Sequence, residues 1–153
     1  MLREHLVNQK DNFIAGWYYD HPLLDTIIEY YASNDKTPGC IQKGNQMIVD
    51  KEHKDSVDTR LQVGTDLFLK YATSYLQPSV DMYIEKYPMC NRQSPWSIIS
   101  DINIQYYPPS GGYHAWHTER TSGVNHTSAC HLVFMTYLNT VHECGETDFS
   151  TSL

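Results

Sequence analysis

The stretch Ile102-Asn103-Ile104-Gln105-Tyr106-Tyr107-Pro108-Pro109-Ser110-Gly111-Gly112-Tyr113-His114-Ala115-Trp116-His117-Thr118-Glu119 carries an abrupt change of chain character. Ile102, Ile104 and Tyr106 alternate with polar Asn103 and Gln105, the period of a half-buried strand. The run Pro108 to Gly112 ends that strand, because the prolines lack a backbone donor and the glycines permit a sharp turn. Such a turn re-aims the chain and lets His117 and Glu119 face the interior of a sheet. On a strand or its continuation, positions i and i+2 project to the same side, so these two can present an imidazole nitrogen and a carboxylate oxygen to one ion. They supply two of the three protein ligands of a 2-His-1-carboxylate site, which holds Fe(II) and leaves positions open for substrates.

Toward the C-terminus, His131 to Asn139 (HLVFMTYLN) is a near-continuous apolar run, short enough for a strand buried on both faces, and Glu146 to Phe149 begins another. Toward the N-terminus the period is 3.6. Phe13 to Trp17 reads as a short strand, Asp20 offers an N-cap oxygen, and Pro22 suits a first helical turn. Leu24, Ile27, Ile28 and Tyr31 then form one apolar helix face that stops near Ser33-Asn34. Pro38 to Asp58 is polar and reads as a loop around one short strand at Met47-Ile48-Val49. A second helix starts at about Thr65, with Phe68, Tyr71, Ala72, Tyr75 and Leu76 on one face, until Pro78 interrupts it; Val80, Tyr83, Ile84 and Tyr87 continue the period. Helices first and strands afterwards predict an α+β fold, with the helices on one face of a sheet or barrel. No repeat or linker divides the chain, so the expectation is a single domain over 1–153, with 1–95 as mainly helical support and 96–153 carrying the strands and the metal motif.

Composition bounds the function. At 153 residues the chain is one domain's length, and 41% hydrophobic against 19% charged residues excludes disorder. Twelve tyrosines imply amphipathic, half-buried surfaces. A net charge of -7 with scattered basic residues argues against nucleic acid as a partner. No apolar run approaches the roughly 18 residues of a membrane span. The opening MLREHLVNQKDNF lacks the apolar stretch of a secretory signal, so the expected compartment is the cytoplasm. Cys40, Cys90, Cys130 and Cys144 show no CxxC pair and read as free thiols in a reducing compartment. A zinc site from His114, His117, Glu119 and a cysteine suits tetrahedral N/S preferences but has no matching motif.

Ile104 to Glu119, followed by His131-Leu132-Val133-Phe134-Met135-Thr136-Tyr137-Leu138-Asn139 and Gly145-Glu146-Thr147-Asp148-Phe149, resembles the 2-oxoglutarate and Fe(II)-dependent oxygenases of the prolyl 4-hydroxylase type. Three features stand in the family's order: a tyrosine-ended strand with a Gly turn, the metal-binding HxD or HxE, and the YLN and GET-F strand pair. Over the N-terminal half the likeness is looser, through Asn12-Phe13-Ile14 with Gly16-Trp17 and through Lys54-Asp55-Ser56-Val57-Asp58.

The resemblance implies a double-stranded β-helix, or jelly-roll, supported by N-terminal helices. It also implies Fe(II) as metal, 2-oxoglutarate as cosubstrate and, in the prolyl 4-hydroxylase type, ascorbate. In that family the first His, the acid two residues on and a distal His hold iron, and a basic residue holds the far carboxylate of 2-oxoglutarate. The implied reaction is hydroxylation of a C–H bond coupled to oxidative decarboxylation of 2-oxoglutarate, with a peptide or small molecule as substrate.

Carried over residue by residue, His117 matches the first ligand and Glu119 the carboxylate. Tyr107 matches a tyrosine that hydrogen-bonds 2-oxoglutarate, with Tyr106 left open by a one-residue difference in spacing. Thr147 is a candidate for lining the cosubstrate pocket. Glu119 replaces the commoner Asp, which moves the carboxylate by about 1.5 Å. Cys130 stands where relatives often carry Arg, and Cys144 occupies a usual Gly position, tolerable only at negative φ. Only Ser150 to Leu153 follow Phe149, so the expected architecture is a jelly-roll incomplete at its C-terminal end, lacking the distal His and the basic anchor. His131 and His142 are expected to be structural or exposed. Such a chain is expected to bind Fe(II) weakly and to present strand edges through which it can oligomerise. The alternative is an inactive jelly-roll remnant that binds a peptide or glycan.

Overall fold

The computed structural model describes residues 2–7, 13–44, 46–92, 95–98, 100–119 and 129–150. In these, the chain is α+β, with helices packed beside antiparallel sheets of two or three strands, none of them closed. Strands β1 (Arg3–His5) and β2 (Gly16–Tyr18) pair antiparallel and lead into helix α1 (Leu23–Ser33). Asp20 does not cap that helix. Pro22 holds the cap position, and the Leu23 N–H donates to His21 Nδ1 at 3.1 Å. The apolar face turns slightly from its expected centre: Leu23 and Ile27 are buried, Leu24, Tyr30 and Tyr31 pack beside them, and Ile28 is exposed. At the other end Asn34 Nδ2 donates to the Tyr30 carbonyl at 2.7 Å and satisfies one of the last orphan acceptors.

Between α1 and the second helical segment lie strands β3 (Thr37–Pro38), β4 (Ile41–Lys43), β5 (Gln46–Ile48) and β6 (Val57–Leu61). The expected single strand is thus the β4–β5 hairpin, and β6 was hidden. Strand β6 is central. It pairs antiparallel with β3 on one side and with β7 (Ile102–Tyr106) on the other, in the register Val57↔Tyr106, Thr59↔Ile104, Leu61↔Ile102. Helices and strands therefore interleave along the chain rather than following in two blocks.

The second helical segment opens where the sequence places it, with Thr65 Oγ1 accepting from the Phe68 N–H at 3.4 Å. Helix α2 (Asp66–Lys70) passes into a wide π turn over Tyr71–Leu76 and then into α3 (Gln77–Lys86). Pro78 does not interrupt it. A proline has no N–H and crowds the carbonyl four residues back, and the π turn just before it, where the Gln77 N–H reaches Ala72 O, absorbs both defects.

The core is Leu23 and Ile27 from α1, Phe68, Tyr71, Tyr75 and Leu76 from the second segment, and Leu61 and Ile104 from the sheet, with Leu61 only 1% exposed. Tyrosines line its margin as their number suggests, rings inward and hydroxyls on polar partners. Tyr30 and Tyr31 donate to the Arg60 and Val57 carbonyls at 3.0 and 3.1 Å, fastening α1 to β6.

Two expected strands are corrected. Residues 131–138 pair with no strand among the described residues; Leu132, Thr136 and Leu138 turn inward while Val133, Met135 and Tyr137 face out. An apolar run is buried on both faces only if partners cover both, and here one face packs on the helical layer. Residues 146–149 form no ladder among the described residues and are exposed. Cys144 sits at φ 61°, in the left-handed region that a β-carbon disfavours, so this turn is strained.

Candidate functional site

The site grows from the sheet edge beyond β7. Gly111 N–H closes a turn on the Pro108 carbonyl at 2.7 Å, with Ser110 at φ 67°. The chain then docks on residues 53–55. Asp55 N–H donates to Gly112 O at 2.9 Å, His114 N–H donates to His53 O at 2.7 Å, and Lys54 faces Tyr113 in an antiparallel bridge. Glycine is required for this approach: a β-carbon on Gly111 would lie 2.8 Å from the Asp55 carbonyl and 2.7 Å from Pro108 Cδ.

Past Tyr113 the chain leaves the sheet, and His117 and Glu119 come together in a loop. His117 Nε2 lies 3.3 Å from Glu119 Oε1. Two ligands each about 2.1 Å from one ion stand about 3.0 Å apart on an octahedral edge and about 3.4 Å on a tetrahedral one, so the separation suits a shared ion as well as a direct His–Glu ion pair. His117 Nδ1 lies 2.9 Å from the Ala115 carbonyl, which can only accept, so that nitrogen carries the proton in this contact. The side chains are 40% and 57% exposed, which corrects the expectation that they face a sheet interior. Tyr113 bridges Lys54, and its ring stacks on the His117 imidazole at 4.0 Å and 12°.

Tyr107 belongs to the same neighbourhood. Its hydroxyl donates to Gln105 Oε1 at 3.1 Å. Burial, followed by the charges of Asp58, Tyr113 and Glu119, pushes its pKa up to about 12, so it remains a proton donor at neutral pH. Burial and Glu119 likewise raise the Tyr113 phenol. Tyr106 is exposed and faces Tyr31, with ring centroids 6.3 Å apart. Thr147 is joined to the Tyr137 hydroxyl rather than to His117 or Glu119.

His131 and His142 have the structural or exposed roles expected of them. His131 Nε2 donates to the Cys90 carbonyl at 2.6 Å beside Trp96, and His142 is exposed. All four cysteines are free thiols. Among the described residues no group of three or more His, Cys, Asp or Glu side chains is placed to hold a metal, so neither a third iron ligand nor the zinc set joins the pair.

The feature that sequence reasoning passed over lies beneath. Lys54 Nζ is 3.1 Å from Asp58 Oδ2, with side chains only 6% and 9% exposed. Ser56 Oγ donates to Asp58 Oδ1 at 2.7 Å and Asn103 Nδ2 to Oδ2 at 2.9 Å. Burial raises the Asp58 carboxyl, but the bonds from Asn103 and Ser56 and the charge of Lys54 outweigh it and hold the group below the usual carboxylate range. The available signal was the polar alternation Lys54, Ser56, Asp58, which puts all three on one face of an extended chain.

Compared with protein-family models, curated proteins and solved structures, the chain matches none.

Proposed function

We propose that this chain carries the first two iron ligands and the cosubstrate-facing tyrosine of a non-haem Fe(II), 2-oxoglutarate-dependent dioxygenase, a hydroxylase of the prolyl 4-hydroxylase type. The observation that carries this reading is the 3.3 Å approach of His117 Nε2 to Glu119 Oε1, with His117 anchored through Nδ1. The order of strand, Gly turn, HTE, YLN and GETDF along residues 104–149 supports it. His117 and Glu119 hold the metal at Nε2 and Oε1. Tyr107, protonated at neutral pH, donates to a carboxylate of the anionic cosubstrate. When bound, iron supplies O2 activation and the protein orients and shields the reactants. The jelly-roll is part of this proposal, with β7 as one of its strands. The net charge of -7 favours a peptide or small molecule over nucleic acid as substrate.

A second reading, a peptide- or glycan-binding module on the same scaffold, is favoured by Trp116 and Tyr137, which are 72% and 60% exposed near the two motifs. Anaerobic titration with Fe(II) and 2-oxoglutarate separates the two. The oxygenase reading expects a visible metal-to-ligand band that disappears in His117→Ala. No band at millimolar iron contradicts it and leaves the binding module.

A further inference from the structure

Lys54 is tied to the loop of His117 and Glu119 in two ways. Its backbone bridges Tyr113, and its ammonium lies 5.8 Å from the centroid of the Tyr113 ring, within cation–π range. That same ring is the one on which the His117 imidazole stacks, at 4.0 Å. An unbroken series of contacts thus runs from Asn103 on β7 through Asp58 on β6 to Lys54, Tyr113, His117 and Glu119. A lysine side chain has several free torsions, and burial against a carboxylate with three donors removes them. The ammonium is therefore a fixed point against which the Tyr113 ring is set. Gly39 seals the arrangement, since a β-carbon there would lie 2.1 Å from Ser56 Oγ and 3.2 Å from Lys54 Cε.

We propose that Lys54, clamped by Asp58, is a positioning residue for the metal pair: it sets the Tyr113 ring, and that ring holds the exposed His117 imidazole in the orientation that meets Glu119. The inference rests on the reading of His117 and Glu119 as metal ligands. The Tyr113 ring gives a histidine that is 40% exposed a fixed packing partner on one face.

The test uses the full chain and two readouts. A lone K54M would leave the Asp58 carboxylate buried and unpaired, so the variant is K54M/D58N, which removes both charges, with K54R as a second variant that keeps the charge. In the metal-free chain, NMR of the His117 ring protons reports the upfield displacement from stacking on Tyr113. K54M/D58N is expected to move these signals toward those of a free histidine, as Y113L does, and K54R to move them only partway. Fe(II) affinity is expected to fall roughly tenfold in K54M/D58N, the scale for loss of an outer-shell partner. His117 signals that stay unchanged in every variant with the native far-UV circular dichroism overturn the positioning role. If the unaltered chain binds no Fe(II) while those signals still move, the metal reading fails and the positioning of His117 by Lys54 stands.

Discussion

The Tyr71 hydroxyl lies 2.6 Å from Thr136 Oγ1, and this bond ties the π turn of the helical layer to the 131–139 run. The run has no strand partner among the described residues, so this contact, the nearby Tyr71–Phe134 ring pair and Leu138 in the core margin hold it in place. Replacing Tyr71 by Phe, or Thr136 by Val, removes one half of a part-buried hydroxyl pair at a cost of about 1 kcal/mol each. A double-mutant cycle by urea denaturation is expected to give a coupling of similar size, about 1 kcal/mol, between the two positions. Additive losses would show that the run is held by its apolar contacts alone.

The same tyrosine makes stability depend on alkaline pH. Burial, partly offset by the Thr136 bond and helped by Tyr75, pushes the Tyr71 pKa up to about 12 from an ordinary value of 10.0. Because the folded value is the higher one, the phenol contributes its full stability below pH 10, and the contribution is lost as pH rises from about 10 to about 12. The loss attributable to Tyr71 is about 2 kcal/mol by pH 12. Thermal melts from pH 8 to 12 are expected to show a steep fall above pH 10 that is visibly shallower in Tyr71→Phe. Equal slopes would contradict a neutral buried phenol.

Gly39 offers a sharp steric test. Its N–H donates to the Ser56 carbonyl at 2.8 Å, and Gly39→Ala would drive a methyl into the Ser56 hydroxyl that bonds Asp58. The expected loss is about 1–3 kcal/mol, typical of overpacking. Gly16→Ala, whose β-carbon meets only His5 Cβ at 3.6 Å, is the matched control and is expected to be close to neutral. Chemical denaturation of both variants measures the difference, and a G39A chain as stable as G16A would contradict the packing around Lys54.

What could be foreseen in the sequence follows from what periodicity encodes. The α1 stripe, the Thr65 start and strand β7 all show because apolar side chains repeat at the helical or strand period. Strand β6 did not, since its buried positions include Asp58 and Thr59, and polar residues go inside only when distant partners satisfy them: Asn103 for Asp58, and the Asp35 carbonyl, 2.8 Å from Oγ1, for Thr59. Those partners are remote in the chain and invisible to a local window. Pro78 misled for a related reason, because whether a proline breaks a helix depends on the turn before it. At the site, the two-residue spacing set His117 and Glu119 on one side of a strand, whereas they approach each other in a loop. That they meet in an exposed loop, steered by a buried lysine from residues 53–58, depended on the docking of Gly112 and His114 on that segment.

The central claim, that His117 and Glu119 jointly hold a divalent ion, is tested most directly by Mn(II) titration followed by electron paramagnetic resonance, which counts free Mn(II) as its hyperfine signal. The account predicts that the unaltered chain and His114→Ala suppress that signal alike, while His117→Ala and Glu119→Ala each restore it to the level seen with no protein. Identical titrations for all four chains would contradict it.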